Sequence, residues 1–80
     1  MKTPRDVSGK DLIKLLKPFG YELVSQNGSH IKVTTEQNGQ HYIAVPNHDP
    51  VKIGILNGIL SEVARHFGFT KEYVARTLFG

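Results

Sequence analysis

The residues best suited to chemistry gather around one tripeptide, Gly28-Ser29-His30. An imidazole titrates near pH 6.5 and so takes or gives a proton at neutral pH, which makes His30 a candidate general base. Lys32 lies two residues on, on the same side of an extended chain, where an ammonium can stabilise charge developing on a phosphoryl group. It is equally the cross-strand partner of Glu22. Ser29 can bond a phosphate or satisfy a turn, and Gly28 suits a turn that needs left-handed backbone. Tyr42 offers a ring on which a base can stack, or is an ordinary edge aromatic. His48, in Pro46-Asn47-His48-Asp49-Pro50, is a second imidazole able to protonate a leaving oxygen. Lys10, Lys14 and Lys17 recur at helical spacing and form either a phosphate-binding face or a solvated one. His30, His41, His48 and His66 lack metal-ligand spacing, and His41 and His66 fall in different elements. With no cysteine, thiolate metal ligands and disulfides are excluded. No Ser-His-Asp cluster is legible, and no Gly-rich phosphate loop follows a strand. No cofactor is expected.

The elements that must hold these residues read clearly. Leu12, Leu15, Leu16 and Phe19 mark one face of a first helix over 8–17, with Ser8 as N-cap, Asp11 at the positive end of its dipole, and Pro18 and Gly20 as stops. Three strands follow, over 21–25, 29–36 and 40–45, and both connections carry Gln-Asn-Gly. A three-residue first loop with Gly28 in a bulge puts Leu23 opposite Ile31, Tyr21 opposite Val33 and Glu22 opposite Lys32. The second hairpin pairs Val33 with Ile43 and Ile31 with Val45. The inner face is then Tyr21, Leu23, Ile31, Val33, Ile43 and Val45. His30, Lys32, Thr34, Tyr42 and Ala44 lie outside, with Glu22 and Val24.

A second helix is expected from Asp49 as N-cap and Pro50 as first residue, with a core stripe of Ile53, Leu56, Leu60, Val63 and Phe67. Gly54 and Gly58 weaken it and permit close packing, and Gly68 ends it. Thr70 caps a short third helix over 71–79, with Phe69 stapled on Val74. The order is α-β-β-β-α-α, an α+β fold whose three-stranded antiparallel sheet carries its helices on one face and leaves the other open.

Eighty residues and a net charge of +3 suit one small domain over 1–80 with a mild basic bias. No apolar run reaches the roughly 18 residues of a membrane helix. Met1-Lys2-Thr3-Pro4-Arg5-Asp6 leads into no apolar signal core, so a cytoplasmic, membrane-free protein is expected.

Several segments together resemble the HicA family of toxins from toxin–antitoxin pairs. They are Asp11-Leu12-Ile13-Lys14-Leu15-Leu16, Phe19-Gly20-Tyr21-Glu22, Gly28-Ser29-His30, Ile43-Ala44-Val45-Pro46 and Lys52-Ile53-Gly54-Ile55-Leu56. The resemblance runs from about 8 to 67, with a helical extension over about 70–79. It implies a double-stranded-RNA-binding-like fold, metal-independent cleavage of messenger RNA, a HicB-type antitoxin partner and a catalytic role for His30. In that chemistry His30 removes the proton of the RNA 2′-OH, which attacks the adjacent phosphorus and leaves 2′,3′-cyclic phosphate and 5′-OH ends. A non-catalytic RNA-binding module on the same fold, or a small interaction protein using the open sheet face, are the other readings.

Overall fold

Why the chain turns where it does is visible from its first cap onward. A computed structural model describes residues 6–80; Met1 to Arg5, part of the segment read as carrying no signal core, lie outside the described residues. Ser8 Oγ accepts from the Asp11 N–H at 3.0 Å, and Asp11 returns a bond to the Ser8 N–H at 3.5 Å. This reciprocal capping box starts α1 (Gly9–Leu15). Pro18 then tightens the chain into a 3₁₀ turn, Lys17–Phe19, and Gly20 leaves it with φ +83°. Leu12, Leu16 and Phe19 are buried as the periodicity predicts.

The sheet consists of β1 (Glu22–Asn27), β2 (His30–Thr35) and β3 (His41–Pro46), antiparallel in the order β1-β2-β3. The second hairpin has the predicted register, Val33 opposite Ile43 and Ile31 opposite Val45. The first does not. Its loop is two residues, Gly28-Ser29, with Gly28 at φ +61° in the glycine position of a II′ turn. Asn27 therefore faces His30, Gln26 faces Ile31 and Ser25 faces Lys32. A bulge between Leu23 and Ser25 then shifts the pairing, so Leu23 meets Val33 and Glu22 meets Thr34. Carried on unbulged, that turn would set Leu23 opposite Thr34, on the wrong face; the extra residue, Val24, restores the alternation. The expected Glu22–Lys32 pairing is thus replaced by Glu22–Thr34 and Lys32–Ser25.

After β3 the chain bends at Asp49 and Pro50 and belongs to no helix or strand until Ile53, rather than entering a helix at Pro50. Val51 is buried in the core, and its N–H donates to the Val7 carbonyl at 2.8 Å, which holds this stretch out of helical geometry. The Asp49–Pro50 bond is cis. Helix α2 (Ile53–Phe67) begins after Lys52 with no side-chain cap, so Asp49 is not its N-cap. Its buried stripe is Leu56, Ile59, Leu60, Val63 and Ala64, while Ile53 is exposed. Thr70 Oγ1 accepts from the Tyr73 N–H at 3.1 Å and starts α3 (Lys71–Phe79) as expected. The Phe69 ring lies against those of Phe19, Phe67 and Tyr73.

One core joins Leu12, Leu16 and Phe19, the inner strand residues, and α2 and α3 through Val63, Val74 and Leu78. No described helix is long and apolar enough to cross a membrane.

The helical glycines differ in what surrounds them. A Cβ on Gly9 would run into the Pro46 carbonyl oxygen, so only glycine lets α1 approach the end of β3. Gly54 and Gly58 face open space, so the close packing expected of them does not exist. Gly9→Ala is expected to lower stability by about 1–3 kcal/mol through forced backbone displacement, and Gly58→Ala to raise it by up to about 1 kcal/mol through helix propensity. Urea unfolding checks both. Equal effects of the two changes would contradict this packing.

Candidate functional site on the open sheet face

The inward residues of β2, Ile31, Val33 and Thr35, are buried. Alternation along the strand then sends His30, Lys32 and Thr34 to the other face. From β3, Tyr42 and Ala44 join them. Here the sequence prediction and the structure agree: His30, Lys32, Tyr42 and Ala44 are exposed on a sheet face that no described element covers.

Within this patch, Lys32 Nζ sits 4.4 Å from the centre of the Tyr42 ring. This cation–π contact, rather than a pair with Glu22, is where the structure places the lysine. Lys32 is one pleat repeat from His30 along β2, its ammonium lies toward Tyr42, which pairs with Thr34, and Tyr42 stays 62% exposed.

The end of the sheet that carries His30 is stitched from three directions. His30 pairs with Asn27 on one side and Pro46 on the other. The Asn47 N–H donates to the Ser29 carbonyl at 2.6 Å, and the Gly9 N–H donates to the His48 carbonyl at 2.9 Å. Gly28 and Ser29 thus serve the turn and its anchoring through their backbones. His48 is exposed in the segment fixed to Ser29, which makes it the second imidazole at this end of the sheet.

Lys10 and Lys14 are not brought to His30. They line a groove between α1 and β1 with Lys17, on the side of the sheet where the helices pack.

The chain matches the family model described as HicA toxin of bacterial toxin-antitoxin over residues 9–64, more than two thirds of its length. The chain belongs to the HicA toxin family. The match spans α1, all three strands and most of α2, and thus the whole open face; α3 lies beyond it. No curated protein and no solved structure matches the chain. As a family member it has a toxin's role in a toxin–antitoxin pair, and its α-β-β-β-α-α order is the one the hydrophobic periodicity and turn signals predict.

Sequence spacing kept His41 and His66 apart, yet in this HicA-family fold their rings stack at 4.6 Å and 16°. His66 Nε2–H donates to the carbonyls of Gln37 and Gly39, both at 2.9 Å, and Asn38 Nδ2 donates to the His66 carbonyl at 2.8 Å. These bonds tie the end of α2 to the β2–β3 loop. The Tyr21 hydroxyl and His41 Nδ1 share a hydrogen bond of 2.9 Å. Burial, with the Glu62 carboxylate adding to it, pushes this phenol up to about 12, so it keeps its proton at neutral pH. No sequence period marks the His41–His66 stack, because it joins residues 25 apart through tertiary packing.

Burial first, and then His66, hold His41 below its ordinary titration range against a smaller opposing effect of Glu62. The folded chain therefore takes up this proton less readily than the unfolded chain. The contribution to stability is whole above the ordinary value of 6.5 and is lost as the pH falls below it. The urea midpoint of the wild type is expected to fall between about pH 7.5 and pH 5. His41→Gln should flatten that dependence, and identical slopes for the two proteins would remove His41 as the cause.

Proposed function

We propose that this HicA-family toxin cleaves messenger RNA, with His30 as general base. The observation that carries the reading is an exposed imidazole on an uncovered sheet face, one pleat repeat from a lysine held on an exposed tyrosine ring. His30 takes the proton of the 2′-OH; O2′ bonds to the adjacent phosphorus as the bond from phosphorus to O5′ breaks. His48 is the acid that returns a proton to O5′. Lys32 stabilises the negative charge of the pentacoordinate phosphorane, and Tyr42 supports a base by stacking. The RNA supplies its own nucleophile, so the reaction calls for no metal or cofactor, and DNA, lacking the hydroxyl, is spared. Messenger RNA as substrate places the work in the cytoplasm. A HicB-type antitoxin covers the open face and blocks access to His30.

Purified protein and His30→Ala are compared on single-stranded RNA in EDTA, with the product ends mapped. The wild type is expected to leave 2′,3′-cyclic phosphate and 5′-OH ends, and His30→Ala to lose at least about a hundredfold in rate. The exposed position lets the variant keep the wild-type thermal midpoint. Equal cleavage by both proteins would dismiss His30 as the base. RNA bound but uncut by both would make the chain a non-catalytic RNA-binding module.

A further inference from the structure

The groove between α1 and β1 is distinct from the open face and has its own chemistry. Its volume is about 730 Å³. Ile13, Leu23 and Ile31 give it an apolar floor, and Lys10, Lys14 and Lys17 give it a basic wall. Leu23 faces inward by register, opposite Val33, yet it is 54% exposed because the helices stop short of β1. Every residue of β1 is exposed, and no described strand pairs with its outer edge. That edge carries backbone donors and acceptors free to receive another strand.

We infer that this groove and edge bind an extended, acidic segment of a partner protein as an added strand beside β1. Main-chain bonds to the free edge would supply affinity, and alternate side chains would point into the groove. The spacing fits. Lys10 and Lys14 are one i,i+4 step apart, about 6 Å along the helix, and alternate side chains of a strand are spaced about 6.7 Å. Helix α1 starts at the β1–β2 turn end and leads into the start of β1, so its lysines run alongside the strand. Acidic side chains on one face of the added strand therefore meet the lysine row, and an apolar one between them covers Leu23. The exposed apolar floor favours a peptide over a polyanion, which would gain nothing from Leu23 or Ile13. The inference is independent of His30 and its chemistry.

The test uses the full nitrogen-15-labelled chain and a capped seven-residue peptide. The peptide has glutamate, leucine and glutamate at its second, fourth and sixth positions and threonine elsewhere. Amide signals of α1 and β1 are expected to shift saturably. Leu23→Lys and Lys14→Glu should each weaken binding about tenfold or more, with unchanged thermal midpoints because both positions are exposed. A peptide with lysine in place of glutamate should not bind. The inference is overturned if no saturable shift occurs, if the shifts fall on Lys32 and Tyr42, or if the lysine peptide binds equally well. It is also overturned if a 2′-O-methyl RNA oligonucleotide displaces the peptide at lower concentration, or if the same signals shift with protein concentration alone, which would give the groove to a second copy. None of these readings involves cleavage, so failure of the nuclease proposal leaves them interpretable.

Discussion

The two-residue repeat of β2 is the constraint on which the rest of the molecule depends. Ile31, Val33 and Thr35 are all but inaccessible to solvent. Slipping the strand by one residue would expose two large apolar side chains and bury an imidazole and an ammonium without partners, a cost of several kcal/mol. The core thus fixes the orientation of groups it does not contain. Thr35 shows how complete the inward face is: its hydroxyl donates to the Phe19 carbonyl at 2.8 Å and accepts from the Gln37 N–H at 3.1 Å. A buried hydroxyl with both roles filled costs little and pins the 3₁₀ turn to the end of the strand.

Alternation sets the face, and the segment after β3 sets the position along it. Asn47 bonds to Ser29, His48 to Gly9 and Val51 to Val7, all through the backbone. A single stretch of chain therefore locks the first hairpin turn, the start of α1 and the entry to the core together. The absence of a side chain on Gly9 permits it, because the helix comes against the Pro46 carbonyl. Rigidity at this end follows from three short main-chain bonds rather than from side-chain packing, which leaves the His30 and His48 side chains free for solvent.

This division explains what was legible in the sequence. Helix faces, the second hairpin register, the Ser8 and Thr70 caps and the outward placement of His30 all follow from local periodicity or from one side chain meeting a nearby backbone group. The first hairpin failed because two devices act together. A tight Gly28-Ser29 turn and a bulge at Val24 each change the register by themselves, and a face-separation argument cannot distinguish their sum from one longer loop. The start of α2 failed because an Asp-Pro pair is a sound local signal that a distant contact, Val51 to Val7, overrules. The His41–His66 stack and the lysine-walled groove were invisible, since each requires knowing which elements lie side by side. On the sheet face the side taken by each residue is readable, but the partner of Lys32 is not, because it depends on the register of the first hairpin.

A chain of this size has apolar residues enough to cover one side of its sheet. The molecule is only 17 Å across its thinnest dimension, a sheet with a single layer of helices. The second face must remain open, so any chemistry on it takes place on a surface and not in a cleft. Such a surface excludes little water, and fixed charges act there at a high effective dielectric. On the proposed reading the RNA must itself provide what a cleft would: its bases shield Tyr42, its own hydroxyl acts as nucleophile, and its phosphate draws Lys32 from the ring. The same flatness makes control simple. A partner need not enter a pocket to silence the site, because covering the exposed face of β2 and β3 removes the imidazole, the cation and the stacking ring together.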